Sequence, residues 1–166
     1  MTKSIFKSED NRLTVTRTFN AHQNLVWSAW TEPALLDLWW APKPWKSETS
    51  YMSFVENGHR IYAMVGPMGE RHVARTDYKL ITPHDSFSGE DSFCDPDGTI
   101  NTSMPIARFK VEFFANSNST EVILSSEYQS KEHLEQVIAM GMKEGLNMAF
   151  DNLDDYIEQQ FKLRKN

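Results

Sequence analysis

The stretch from Ser130 to Lys162 constrains this chain more than any other. Its apolar residues Leu134, Val137, Ile138, Met142, Leu146, Ala149, Leu153, Ile157 and Phe161 recur every three or four positions, which lines them along one side of an α-helix. A helix with such a side needs a partner to cover it. Ser130 is a suitable N-cap with Glu132 in the first turn, and Lys162, Arg164 and Lys165 stand where the negative end of the helix dipole favours cations. The spacing therefore predicts one long helix. Gly141 and Gly145 lie within it, each costing about 1 kcal/mol of helix propensity relative to alanine. Nearly aligned, they would leave a groove. Close packing on a sheet is the ordinary use of such a groove, and admission of a bound molecule is the other.

Upstream, the periodicity changes. Arg12 to Asn20 alternates Leu13, Val15, Arg17 and Phe19 against Arg12, Thr14, Thr16 and Thr18, the pattern of a half-buried strand. Residues before Asn11 read as a lead-in without structure. Gln23 to Thr31 spaces Leu25, Val26, Ala29 and Trp30 as a short helix. A second helix opens at Thr31-Glu32-Pro33, where proline suits the first turn, and runs to Trp39-Trp40 before Ala41-Pro42-Lys43-Pro44 stops it.

From Trp45 to Tyr128 the chain reads as six strands: Lys46 to Val55, His59 to Val65, Glu70 to Ile81, Ser86 to Phe93, Ile106 to Ala115 and Thr120 to Tyr128. Asn57-Gly58 signals a type I′ hairpin. Turns are expected at Gly66-Pro67-Met68-Gly69, Thr82-Pro83-His84-Asp85, Asp95-Pro96-Asp97-Gly98 and Asn116-Ser117-Asn118-Ser119. Strands joined this tightly are antiparallel neighbours. The expected fold class is α+β: a curved antiparallel sheet of seven strands, two short helices after the first strand, and a long C-terminal helix gripped by the concave face. One domain spans residues 1–166, with its core at about 12–162.

Charge marks the outer side of several strands and so identifies the inner one. Arg71, Arg75, Asp77 and Lys79 face out, which turns His72, Ala74, Thr76, Tyr78 and Leu80 in. The next strands direct Phe87, Gly89, Asp91 and Phe93, then Phe109, Val111 and Phe113, then Val122, Leu124, Ser126 and Tyr128, to the same side. His59 to Val65 is apolar in both parities, with Tyr62 and Met64 favoured inward. A mostly apolar interior with a few polar points is the make-up of a small-molecule site. Its candidate lining is Trp40, Tyr62, Met64, His72, Thr76, Tyr78, Phe87, Phe93, Phe109, Met142 and Leu146.

Each polar point has a plainer explanation. His72 would ordinarily be a hydrogen-bonded structural histidine, and only the near-neutral titration of imidazole marks it. Asp91 reads most simply as a strand-end carboxylate in water, and Trp39-Trp40 as closure beneath the short helices. No Ser/His/Asp order, phosphate loop, carboxylate pair or metal-ligand spacing occurs. Neither a metal nor another cofactor is expected. Catalysis enters only as an alternative, with His72 as general acid/base oriented by Asp91 or Tyr78.

Composition removes further classes. A formal net charge of −6, with no basic cluster before the short C-terminal run, argues against nucleic acid. Cys94 is the only cysteine, so no intramolecular disulfide can form, which suits a reducing compartment. No segment approaches the roughly 18 apolar residues of a membrane span. A cytoplasmic location is expected.

The run Phe19-Asn20-Ala21, Val26-Trp27-Ser28-Ala29-Trp30-Thr31-Glu32-Pro33 and Leu38-Trp39-Trp40-Ala41-Pro42 resembles the opening signature of the family named for the activator of the 90-kDa heat-shock protein ATPase. Met140-Gly141-Met142-Lys143-Glu144-Gly145 and Asp151-Asn152-Leu153-Asp154-Asp155-Tyr156 are similar to its closing helix. That family lies within the START-like, or Bet v 1-like, superfamily (SRPBCC). The likeness covers about Leu13 to Ile157. It departs at Asn57-Gly58-His59, where relatives often carry paired glycines, and at Met142, where they carry Trp. The resemblance implies the helix-grip fold and a hydrophobic cavity for a lipid, aromatic or polyketide-like molecule, without an enzymatic role. It also implies two alternatives: a polyketide cyclase or dehydratase-like enzyme using His72, and a chaperone-associated module in stress response presenting apolar surface near Trp39, Trp40 and Trp45. A chaperone partner and a homodimer both stay open.

Overall fold

A computed structural model describes residues 3–165, the side chains of Arg164 and Lys165 excepted, so the expected C-terminal cation pair falls outside the described residues. Along the chain come β1 (Ile5–Glu9), β2 (Arg12–Phe19), α1 (Gln23–Thr31), α2 (Pro33–Trp39), β3 (Lys46–Met52), β4 (His59–Val65), β5 (Arg71–Thr82), β6 (Ser86–Phe93), β7 (Ala107–Asn116), β8 (Ser119–Glu127), α3 (Lys131–Ala139) and α4 (Met142–Lys165). The strands form one antiparallel sheet in the order β1-β2-β8-β7-β6-β5-β4-β3. The expected α+β class holds, with eight strands instead of seven and four helices instead of three.

The additional strand is β1. Its residues are nearly all exposed, so no apolar alternation advertises it. It pairs with β2 through Asp10, whose φ of 55° closes the hairpin. Pairing of main-chain groups, which any sequence supplies, makes this strand.

The additional helix arises because the C-terminal one is broken. Ser130 caps α3 as expected, its hydroxyl accepting from the His133 N–H at 3.1 Å. The helix then ends at Gly141, which has a φ of +93°, a left-handed conformation that glycine adopts without a Cβ penalty. Neither glycine makes the expected groove against the sheet. A Cβ on Gly145 would meet only Pro42 Cγ at 3.8 Å, and one on Gly141 only Glu144 Oε2 at 3.9 Å. Gly145→Ala is therefore expected to stabilise the protein by about 0.5–1 kcal/mol, read as a rise in denaturant midpoint. Gly141→Ala should do the opposite.

Two other expectations need correction. β3 ends at Met52, and a six-residue connection replaces the two-residue hairpin, with Asn57 (φ 67°) in it. The connection is held by Ser53 N–H to His59 O and by bonds from Asn57 N–H to Tyr78 O and Tyr78 N–H to Gly58 O. In β5 the register slips between Tyr78 and Ile81. That bulge swings Leu80 outward, 68% exposed, and replaces it with Ile81. Gly89 lies opposite, where a Cβ would come within 2.0 Å of Asp77 O. The turns at residues 66–69, 82–85, 95–98 and 116–119 form as expected.

The main core joins inner-face residues of the sheet, Val15, Phe19, Phe87, Val111, Phe113 and Val122, to Val26 and Trp30 of α1, Leu36 and Trp39 of α2, and Ala149, Phe150, Leu153 and Ile157 of α4. A smaller cluster, Leu13, Ala107, Tyr128 and Leu134, lies under α3. Asn152 Nδ2 donates to Ala41 O at 3.0 Å and fixes α4 against the end of α2. Phe6 packs against both clusters, but elsewhere between them a gap is left.

Candidate functional site: a cavity between the sheet and the C-terminal helices

The gap between the clusters is a cavity of about 240 Å³. Its floor is the inner face of β4 to β8, its roof Val137 of α3 with Met142 and Leu146 of α4, and one side is Trp30, Leu36 and Trp40 of the short helices. The helix break sets the roof, since Val137 and Met142 reach the cavity from either side of Gly141. Most of the wall is aromatic or aliphatic.

Ten of the eleven candidate lining residues border this space: Trp40, Tyr62, Met64, Thr76, Tyr78, Phe87, Phe93, Phe109, Met142 and Leu146. His72 does not. It shares the inner parity of β5 but lies past the cavity's end, exposed and stacked on Trp45 at 5.3 Å between ring centroids. Asp91 pairs across the sheet with Thr76, four residues from His72, which is about 13 Å of strand. The pairing needed for His72 as a general acid/base is absent. Parity specified the face correctly and was silent on how far along the strand the cavity extends.

Asp91 is instead inside. Thr76 Oγ1 donates to its Oδ1 at 2.7 Å. Its other carboxylate oxygen has no partner among the described residues, and the residue keeps part of its surface accessible because it borders the cavity. Burial pushes the carboxyl up to about 6, against the Thr76 hydrogen bond and the positive charge of Arg60, with Asp77 adding to the rise. The charged form is thus disfavoured in the folded state, so the fold is favoured most below pH 4 and loses that contribution as pH rises through about 6. Asp91→Asn should stabilise the protein above that range by up to about 3 kcal/mol and leave it nearly unchanged near pH 4. Melting curves across pH check this.

Three tyrosines share the cavity. Burial first, and the Asp91 charge second, push Tyr62 up to about 12. The same two causes raise Tyr128 to about 12. Burial likewise raises Tyr78. All three stay protonated at neutral pH. Tyr62 accepts from Trp40 Nε1 at 3.0 Å, which fixes that indole as part of the wall. Tyr128 is 3.8 Å from the Met142 sulfur.

Arg60 escaped the sequence reading, although parity with Tyr62 and Met64 places it on the inner face. It is 3% exposed. Its guanidinium lies 4.0 Å from the Tyr62 ring centroid and donates to Ser47 Oγ at 3.0 Å, Thr49 Oγ1 at 3.1 Å and Asp37 Oδ1 at 3.3 Å. Asp37 in turn accepts from Ser47 Oγ and Thr49 Oγ1, both at 2.8 Å, and from Thr49 N–H at 3.0 Å. This network joins α2 to β3 and β4 and pairs the charge of Arg60, the one cationic side chain on the cavity wall among the described residues.

The tryptophans expected to present apolar surface are turned inward or covered. Trp39 is 1% exposed and donates to Ala29 O at 2.9 Å. Trp40 borders the cavity, and Trp45 is partly covered beside His72. Among the described residues, no helix is long and apolar enough to cross a membrane.

No curated protein matches the sequence. Among solved structures, protein Ms6760 from Mycobacterium smegmatis is 26% identical, with a TM-score of 0.85 over 94% of this chain and 96% of that one. A protein from Arthrobacter aurescens superposes with a TM-score of 0.88 at 24% identity, covering 93% and 91%. An AHSA1 protein from Silicibacter pomeroyi does so at 0.71 and 16% identity, covering 90% and 99%. The latter two establish the fold alone. The family described as Activator of Hsp90 ATPase homolog 1-like protein matches residues 20–158, which takes in both short helices, the sheet from β3 to β8, and the helices that roof the cavity. The chain belongs to that family.

Proposed function

We propose that this protein binds a hydrophobic or amphipathic small molecule in the cavity between its C-terminal helices and its sheet, without catalysing a reaction on it. One observation carries the reading: between two well-packed clusters, Trp40, Tyr62, Phe87, Phe93 and Phe109 surround space that no side chain fills. Interiors normally close such gaps, because an empty apolar void forfeits packing. The volume of about 240 Å³ lies below the roughly 300–1,000 Å³ of sites for drug-sized ligands. A compact aromatic or alicyclic body suits it better than a long lipid chain. The position of His72, outside the cavity and against Trp45, speaks against the cyclase-like alternative. With Trp39 buried and Trp40 on the cavity wall, the chaperone-associated alternative would rest on Leu38 and the partly exposed Trp45.

Native mass spectrometry and melting shifts against a panel of aromatic, alicyclic and lipid compounds test the proposal. A ligand at a hundred times its Kd should raise stability by about 2.7 kcal/mol. Ala74→Phe, which adds a ring to the cavity wall, should fold and lose the shift. A panel without a stabilising compound, or undiminished binding by Ala74→Phe, would overturn the proposal.

A further inference from the structure

The charge on the cavity wall is unbalanced, and the imbalance discriminates among ligands. Among the described residues, Arg60 is the only cationic side chain lining the space. Its hydrogen bonds go to Asp37, Ser47 and Thr49, and its face is covered by the Tyr62 ring. That occupies Nε and Nη2 and leaves only Nη1 for an incoming anion. Asp37 cancels its charge. That leaves Asp91, on the inner face beside Thr76, with one carboxylate oxygen satisfied and the other unpartnered among the described residues. An ionised carboxylate is an acceptor only, and an unmet acceptor in apolar surroundings strongly rewards a donor.

We propose that Asp91 makes the cavity selective for a compact apolar molecule bearing one hydrogen-bond donor, a hydroxyl or a protonated amine, and rejects the same body bearing a carboxylate. The inference rests on the cavity being a ligand site. A donor head group takes the free oxygen of Asp91 while its body lies among the aromatic side chains. A carboxylate head group meets a like charge where little water screens it. An amine gains in addition from the faces of nearby aromatic rings. The groups facing Asp91 do not reverse this. They are Arg60 and Tyr62 from β4, Tyr78 from β5 and Tyr128 after β8, with Asp77 on the opposite face of β5. The C-terminal helices contribute Val137, Met142 and Leu146 and the short helices Trp30, Leu36 and Trp40, all of them uncharged.

The test is a naphthalene series that keeps one body and varies the head group: 2-methylnaphthalene, 2-naphthol, 2-(aminomethyl)naphthalene and 2-naphthoate. Binding to the intact protein is followed by tryptophan fluorescence at about pH 7.5, where Asp91 is ionised. The alcohol and the amine should each bind at least roughly tenfold more tightly than the methyl compound, and the carboxylate at least roughly tenfold more weakly than the alcohol. Asp91→Asn should erase the advantage of the amine and admit the carboxylate, and acidification of the wild type to about pH 5 should do the same. A larger gain for the amine than for the alcohol assigns a cationic ligand, and the reverse a neutral one. Methylnaphthalene binding with no head-group preference, or tighter binding of the carboxylate, overturns the selectivity and leaves the cavity reading standing. Failure of all four compounds overturns both. The wild-type series decides the matter even if the variant cannot be prepared.

Discussion

Arg17→Ala is expected to lower stability by about 3–5 kcal/mol, the penalty for stranding buried charge. Arg17 is 2% exposed in the middle of β2. Its Nη2 donates to Asp151 Oδ1 at 2.7 Å and to Asp154, and its Nη1 to Ser4 Oγ at 3.0 Å and Asn147 Oδ1 at 3.4 Å. One side chain thus ties the sheet to α4. Burial raises the Asp154 carboxyl above its ordinary range despite the guanidinium beside it. The loss after truncation therefore comes mainly from carboxylates left without a partner. It should shrink on acidification, because protonation neutralises them. Urea unfolding at neutral and acid pH measures both effects. A double variant, Arg17→Met with Asp154→Leu, should recover most of the stability, since apolar replacement of a buried pair is often neutral or better. If Arg17→Ala costs less than about 1 kcal/mol, the network is only a surface ion pair.

Phe150→Ala should cost a similar amount, about 3–5 kcal/mol. Phe150 is 2% exposed on α4, with ring centroids 5.9 Å from Phe19, 5.8 Å from Trp30 and 6.2 Å from Trp39. It is where the sheet and both short helices meet α4. Truncation opens a void that fixed aromatic rings cannot collapse into. The effect should appear as a lower unfolding midpoint. Phe150→Leu should recover part of it.

The same arrangement explains what could be seen from residues alone. Alternation along β4 to β8 identified the inner faces, because charge on one side of a strand implies burial of the other. Seven of the ten cavity-lining candidates, Tyr62, Met64, Thr76, Tyr78, Phe87, Phe93 and Phe109, came from reading strands in this way. That reading misplaced Leu80, where the bulge advances the register by one residue, and His72, where the strand outruns the roof. It left Asp91 in water, because a carboxylate beside solvent and one beside an internal cavity have the same sequence signature. The C-terminal periodicity runs unbroken past Gly141, so it could not reveal that two helices share one apolar side.

By itself, the sequence determined the α+β class, the short helices, most of the turns and the sides of the strands that face inward. All of these depend on interactions within a few residues. Only the tertiary structure decided that β2 pairs with β8, that β1 extends the edge of the sheet, that Arg60 and Arg17 find carboxylates on distant elements, and that the packed clusters stop short of each other around Asp91. These depend on which parts of the chain meet after the sheet closes across more than a hundred residues. Hydrophobic periodicity says which side must be covered, but how completely the covering side chains fill the space is a matter of volume and distance between elements.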